Sequence, residues 1–377
     1  MTTLLEVVFW ACAGLIAYTH VGYPVVLWVI GRFRRGGPSA GGPELPRVAL
    51  IVAAHDEEDV IAAKVENALA QDYPRERLRV VVASDGSTDG TAEAARRAGA
   101  DSVLDLERAG KIAAQNSAAE GEAPGAEVLA FSDANCFWEP EALRRLAAAF
   151  DDPDVGYACG LVRFEESGGD NQEGLYWRFE TWVRGLESKA GGVTAGNGGI
   201  YAVRARDYLP LPPSSSHDLS FPFELAKRGR RSVYVPAARA SERMVPTLAG
   251  EFDRKRRMMV GLWDIVVGEG MLSPRGYGPL YAFQIVSHRL LRYLTPLLHA
   301  LALLVNVALL GEGTVYVATL ALQGAFLLAA ALGRFVPLSP FRVARYYVLV
   351  TASIAAGLWD RLRHGPGGAW DRTEGTR

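Results

Sequence analysis

Apolar and polar positions divide this chain into three stretches. From Val7 to Gly31 there is no Lys, Arg, Asp or Glu, a run that exceeds the roughly 20 residues a helix needs to cross a bilayer. The basic cluster Arg32, Arg34 and Arg35 follows the run instead of preceding it. A cleaved secretory leader would have the opposite order, so the pattern predicts a retained membrane helix over 1–35 with its basic end in the cytoplasm. Residues 36–46, rich in Gly and Pro, read as a linker. Far along the chain, 293–333 carries one charge, Glu312, inside Gly311-Glu312-Gly313. That predicts two spans joined by a tight outer turn. Arg289 and Arg292 before the pair, and Arg334, Arg342 and Arg345 after it, place both flanks on the cytoplasmic side. The uncharged stretch 346–359 is short for a span and reads as interfacial. Were it to span, the basic tail that ends 334–377 would lie outside.

Between these stretches the pattern changes. Residues 47–262 alternate short apolar runs with helical segments, and 263–292 reads as an interfacial connection. Strands are expected at 48–53, 78–83 and 127–131, and helices at 56–70, 89–98, 110–121 and 139–150. Such alternation predicts an α/β fold, a Rossmann-like parallel sheet with helices on both faces. Ligands of such sheets bind at the carboxyl ends of the strands. Composition narrows the picture further. Among 377 residues, 49% hydrophobic and 22% charged exclude a disordered chain. Forty Lys+Arg against 42 Asp+Glu give a net charge of -2, so there is no basic footprint for nucleic acid. Cys12, Cys136 and Cys159 are too few and scattered for a disulfide framework or a zinc site.

The strand ends are rich in carboxylates: Ala54-His55-Asp56-Glu57-Glu58, then Ser84-Asp85-Gly86-Ser87-Thr88-Asp89-Gly90-Thr91, then Ser132-Asp133-Ala134-Asn135. Lys111 follows Gly110 at a helix start. Asp, Ser and Thr also serve as helix caps and turn formers, and any one of these residues is explained that way. Together, on the ligand-binding edge, they suit a nucleotide diphosphate. A carboxylate accepts from a base or ribose, a carboxylate pair holds a hard divalent cation, and a lysine adds a point charge to a phosphate. No G-x-x-x-x-G-K-[ST] is present, and no G-x-G-x-x-G follows the first strand. This disfavours P-loop and dinucleotide chemistry.

At these residues 48–261 resembles the GT-A catalytic domain of the family 2 glycosyltransferases, membrane-bound inverting enzymes related to cellulose, chitin and hyaluronan synthases. The ordered matches are His55-Asp56-Glu57-Glu58, the full S-D-G-S-T-D-G-T at 84–91, Gly110-Lys111 with Asn116, Asp133-Ala134-Asn135 for D-x-D, and Gly196-Asn197-Gly198-Gly199. The resemblance implies a nucleotide-sugar donor, UDP-linked, and a lipid or glycan acceptor at the membrane of a bacterial-type cell. It implies that Glu57 and Asp85 bind uridine and that Lys111 lies at the phosphates. Asp133 and Asn135 would hold Mg²⁺ or Mn²⁺, and Gly196, Asn197 and Gly198 would line the acceptor side. Asn135 stands where the family has a second aspartate; an amide oxygen ligates without charge.

The family places its general base in an acidic pair at a helix start. Here the stretch is Ser216-His217-Asp218-Leu219. Asp218 aligns with the base, and His217 replaces its acidic partner; an N-cap role competes for Asp218. Glu251 to Met258 sits where processive synthases carry Q-x-x-R-W. Arg254 and Arg257 keep the spacing and would meet the leaving diphosphate, while Met258 removes a flat surface for an acceptor sugar. The same segment also reads as a basic helix on the inner leaflet. Residues 173–186 read as an amphipathic helix with aromatics. His20, inside the first span, reads as a partner in helix–helix contact. A processive synthase is the alternative within the family. A non-catalytic nucleotide-sugar sensor is the alternative outside it, motivated by His217, Asn135 and Met258.

Overall fold

The computed structural model describes residues 2–33, 45–122, 124–165, 173–243, 248–336 and 338–365. Most of the expected linker and the end of the basic tail lie outside the described residues, as does the side chain of Arg254. The chain opens on α1 (Thr2–Phe33), an apolar helix interrupted by a wider π turn at Tyr18–Gly22.

Among the described residues eight strands then form one sheet, ordered β3-β2-β1-β4-β7-β6-β8-β5. β1 (Val48–Ala54) is buried at all seven positions, because both faces of the sheet are covered and neither can be polar. It pairs parallel with β2 (Leu78–Asp85) and β4 (Val128–Asp133). β3 (Ser102–Leu106), absent from the sequence expectation, adds a parallel edge. Helices α2 (Glu58–Leu69), α3 (Thr91–Arg97), α4 (Lys111–Glu122) and α5 (Ala142–Ala148) make the crossovers. One face buries Leu50, Val80 and Ala130 against Ala68 of α2 and Leu143 and Leu146 of α5. The other buries Ile51, Leu129 and Phe131 against Ile112 and Ala118 of α4.

The sheet is not parallel throughout, which corrects the sequence expectation. β7 (Tyr201–Arg204) runs antiparallel to both β4 and β6 (Val155–Glu165). β8 (Arg231–Arg243) pairs parallel with β6, and the two-residue β5 (Phe137–Trp138) is antiparallel to β8. The reversal follows from the long excursion between β6 and β7, which contains α6 (Glu173–Ala190). α7 (His217–Lys227) then packs Phe221 and Leu225 on the same face as α4.

α8 (Leu248–Gly268) leaves the sheet and is clamped to the last helix, α11 (Ser339–His364). Arg256 pairs with Asp360 at 2.5 Å and Arg361 with Asp264 at 2.6 Å. A Cβ at Gly357 would lie 2.5 Å from the Met259 Cβ, so only glycine permits this crossing. Between them run α9 (Pro279–Ala308) and α10 (Thr314–Leu332). α9 begins earlier than expected, absorbing much of 263–292, and contains a second π turn at Ile285–Leu290. Among the described residues three helices, α1, α9 and α10, are long and apolar enough to cross a membrane. Their large apolar side chains, such as Leu4, Leu304 and Leu322, are exposed. α11 is not one of the three, in keeping with the short uncharged stretch at 346–359.

Candidate active site

The parallel half of the sheet brings the ends of β1, β2 and β4 to one edge, and the polar loops there are tied mainly to one another. Asp56, in the left-handed region at φ 50°, accepts from the Thr88 N–H at 2.6 Å, and its own N–H donates to Ser87 Oγ. The Glu57 N–H donates to Thr91 Oγ1 at 2.6 Å, and Glu58 accepts from the Gly90 N–H at 2.9 Å. Asp89, just before α3, accepts from the Thr91 N–H at 3.0 Å. Much of the S-D-G-S-T-D-G-T run therefore zips two loops together. Gly86, at φ +60°, is required because a Cβ would lie 2.7 Å from the Arg108 nitrogen.

Asp85 is buried, with 1% of its surface exposed. Its carboxylate accepts from the Ala109 N–H at 2.7 Å, the Gly110 N–H at 2.9 Å and Arg108 Nη1 at 3.1 Å. In this structure Asp85 holds the 108–110 loop, and that loop delivers Lys111 as the first residue of α4. Glu57 stands half-buried just before α2.

Lys111 is the centre of the site. Its ammonium is ion-paired with Asp133 at the end of β4. Burial works against the charge, but the carboxylates of Asp133, Asp218 and Glu242 outweigh it and raise the lysine's pKa. The Asp133–Cys136 turn rests on Lys64 of α2, wholly buried, which donates to the Cys136 carbonyl. Burial lowers the pKa of Lys64 to about 8, with Cys136 and Asp133 opposing that shift. Asn135 donates its side-chain amide to Glu242 Oε1 at 3.3 Å. Asp133, Asn135 and Glu242 carry oxygen donors of the kind a hard divalent cation takes. Among the described residues no group of three His, Cys, Asp or Glu meets metal-ligand geometry. The donor set fits a cation that arrives with a diphosphate.

Asp218 enters from the first turn of α7. Its carboxylate accepts from the Ser216 hydroxyl, and its carbonyl accepts from the Gly196 N–H at 2.6 Å. The glycine segment lies against it. A Cβ at Gly196 would fall 1.8 Å from the Tyr157 hydroxyl, and one at Gly199 2.8 Å from Cys136 Sγ; both glycines are packing requirements. Gly198 differs. The point a Cβ would occupy there is 3.9 Å from Lys111 Nζ and 4.0 Å from the Asp218 carboxyl carbon. Asn197 is buried, and its amide donates to the Gly160 carbonyl at 3.4 Å.

His217 points away from this chemistry. It is 3% exposed, its Nδ1 meets the Tyr201 hydroxyl at 2.6 Å, and Phe131 and Phe221 pack edge-on against it. Burial, then the charge of Lys111, drives its pKa down to about 3, so it is a neutral anchor for the start of α7. Arg257 is exposed on α8 and, among the described residues, makes no hydrogen bond or ion pair to Asp85, Lys111, Asp133 or Asp218.

With the site assembled, the comparison with known families becomes decisive. The profile described as Glycosyl transferase family 2 matches residues 49–209, and that of Glycosyl transferase family group 2 matches 132–336, more than half of the chain. The chain belongs to the family 2 glycosyltransferases. It is similar to Glycosyltransferase AglE of Haloferax volcanii, 29% identical over 140 residues, which are 36% of this chain and 45% of that protein. The chain therefore spans under half the length of that curated relative. Among solved structures it resembles the mannosyltransferase PcManGT from Pyrobaculum calidifontis in complex with GDP-Man and Mn²⁺. That likeness has a TM-score of 0.71 and 24% identity, covering 95% of this chain and 99% of that one. It shows that the GT-A fold is shared.

In this family 2 glycosyltransferase two residues beside the candidate site, Glu242 and Lys64, were not singled out by the sequence. Glu242 lies in Ala240-Ser241-Glu242-Arg243, a stretch with no motif, and the antiparallel β5–β8 pairing, with Phe137 opposite Ser241, brings it to Asn135. Lys64 did leave a signal. It shares the helical spacing of the apolar Ile61, Val65 and Ala68, so it had to be buried.

Proposed function

We propose that this chain is a membrane-anchored, inverting glycosyltransferase. It moves a sugar from a nucleotide-diphosphate donor, UDP-linked, to a lipid or glycan acceptor at the membrane, with the catalytic unit on the cytoplasmic face. One observation carries the reading: Lys111 lies among Asp133, Asp218 and Glu242, with Gly198 leaving open a point within 4.0 Å of both the ammonium and the Asp218 carboxyl carbon. A cation for the leaving group and a carboxylate for the incoming hydroxyl therefore face one space.

The chemistry follows from that placement. Asp218 takes the proton of the acceptor hydroxyl as its oxygen attacks the anomeric carbon, a general-base contribution of about 10² to 10⁴ in rate. The bond from that carbon to the donor's phosphate oxygen breaks, and the electron pair leaves with the nucleoside diphosphate. Lys111 faces the charge that develops there, where a fixed cation is worth most. Asp133, Asn135 and Glu242 would hold Mg²⁺ or Mn²⁺, which neutralises diphosphate charge when bound. A single displacement inverts the anomeric centre. Gly196, by fixing the Asp218 carbonyl, keeps the base oriented. Nucleotide contacts fall to Glu57 and to the loop that Asp85 holds, and Arg254 and Arg257 of α8 are the candidates to close over the diphosphate.

The test uses the full chain in detergent with UDP- and GDP-sugars, Mg²⁺ or Mn²⁺, and a membrane lipid extract. Nucleoside diphosphate release with one donor, dependent on the extract, with the product's anomeric configuration opposite to the donor's, supports the reading. Tight donor binding with no release across the panel contradicts it.

A further inference from the structure

A cavity of about 300 Å³ lies where α1, α6, α9 and α11 meet. It belongs to none of the groups described above. Two unusual backbone features converge on it. The π turn of α1 supplies Thr19 and His20, and that of α9 supplies His288. The turns face each other, with the Tyr18 hydroxyl 2.8 Å from Ser287 Oγ. Such turns cost helix stability and recur at functional sites.

The cavity has a charged end and an apolar wall. Arg292 of α9 donates through Nη1 to Glu180 at 2.5 Å and meets His288 Nε2 at 3.2 Å. Among the described residues its hydrogen bonds leave from that one nitrogen, and its guanidinium lies 5.2 Å from the Tyr176 ring centroid. The rest of the wall is Phe179, Val343, Tyr346 and Tyr347 with the Tyr176 ring. Cationic groups on an otherwise apolar membrane helix are costly and mark ligand paths, and a guanidinium fork matches a phosphate. A fork beside an aromatic wall suits an amphiphile: a phosphate at Arg292 and a hydrocarbon chain along α11.

The cavity is also wired to the catalytic base. His288 Nδ1 is 2.8 Å from Glu187 Oε1, which also accepts from the Tyr23 hydroxyl at 2.6 Å. Glu187 accepts from the Thr194 N–H at 3.1 Å, and Arg289 Nε donates to Thr194 Oγ1 at 2.8 Å. Two residues on, the Gly196 N–H holds the Asp218 carbonyl. We infer that this cavity binds the phosphate-bearing headgroup of a membrane lipid, on the far side of the Glu187 network from Asp218.

The test measures retention of dioleoyl phosphatidic acid on the purified full chain by native mass spectrometry. Dioleoylglycerol, which has the same chains without phosphate, and inorganic phosphate are the comparison probes. Arg292→Gln removes the cation, and Val343→Trp fills the cavity from α11 while leaving the Arg292–Glu180 pair in place. Both are compared at wild-type elution volume and helix content. Preferential retention of phosphatidic acid, at least tenfold weaker in each variant, is the expected result. Equal retention of dioleoylglycerol, competition by inorganic phosphate alone at equal strength, or retention unchanged in Val343→Trp would overturn it. Donor binding, followed separately on the wild type by calorimetry, tells the two failures apart. Its absence sinks the glycosyltransferase reading, whereas its presence with indifferent lipid retention sinks the cavity alone.

Discussion

The side-chain amide of Asn135 donates to Glu242 Oε1 over 3.3 Å. A carboxylate from β8 thus stands beside the position at which the D-x-D pattern would carry its second aspartate. The charge absent at 135 is restored in space by a residue far away in sequence. Glu242→Gln is expected to weaken Mn²⁺ binding, in the presence of nucleoside diphosphate, by roughly 10- to 100-fold, as loss of a ligand's support typically does. Asn135→Asp in the Glu242→Gln background is expected to recover most of it. Electron paramagnetic resonance of free Mn²⁺ measures both without reference to turnover. An unchanged affinity in Glu242→Gln would remove Glu242 from the site.

The glycines at 196 and 198 answer to different constraints. Gly196→Ala would drive a methyl to within 1.8 Å of the buried Tyr157 hydroxyl. Overpacking of that kind costs about 1–3 kcal/mol and disturbs the N–H that holds Asp218. Gly198→Ala makes only ordinary contacts, at 3.9 and 4.0 Å. It is expected to melt as the wild type does yet turn over more slowly, because its methyl occupies the space shared by Lys111 and Asp218. Thermal melts alongside initial rates separate the two effects, and equal melting of both variants would refute the distinction.

The network around Glu187 gives a pH dependence. Burial alone would raise its pKa, but His288, Arg289 and Tyr23 lower it to about 2 from the ordinary 4.5. The folded state therefore binds this proton more weakly than the unfolded state. The stabilisation is full above about pH 4.5 and is lost as pH falls toward 2. Melting of the wild type in detergent is expected to drop across that window. Glu187→Gln should show a smaller drop and, at neutral pH, a loss of about 3 kcal/mol from breaking a buried pair. A wild-type acid limb that persists undiminished in Glu187→Gln would contradict the assignment.

Much of this was legible in the sequence because it is local. The run Val48–Ala54 announces a strand covered on both faces, and Gly110-Lys111 announces a helix start with a cation. What escaped was set by pairing between distant segments. β3, four half-buried residues and the exposed Asp105, is too short and mixed to be read as a strand. The antiparallel β7 depends on a return of the chain after α6 that no periodicity encodes. Glu242 reaches Asn135 through the β5–β8 pairing, which no local pattern encodes. Asp85 is expected to bind the nucleotide, and the structure shows its carboxylate engaged by the Ala109 and Gly110 N–H groups, as Asp56 is by that of Thr88. Residue type alone does not separate those two uses. His217 reads in the sequence as bystander, ligand or pH-sensitive neighbour, and the structure buries it against Tyr201, Phe131 and Phe221.

The central claim is that Asp218 is the base that activates the acceptor. Asp218→Asn keeps the size of the side chain and can still accept from Ser216, but it takes no proton. The decisive measurement compares donor affinity by calorimetry with kcat/KM for sugar transfer, in wild type and Asp218→Asn. Donor affinity within about threefold of wild type, with kcat/KM reduced by about 10² or more, is the predicted result. Transfer that continues at the wild-type rate in Asp218→Asn would contradict the account.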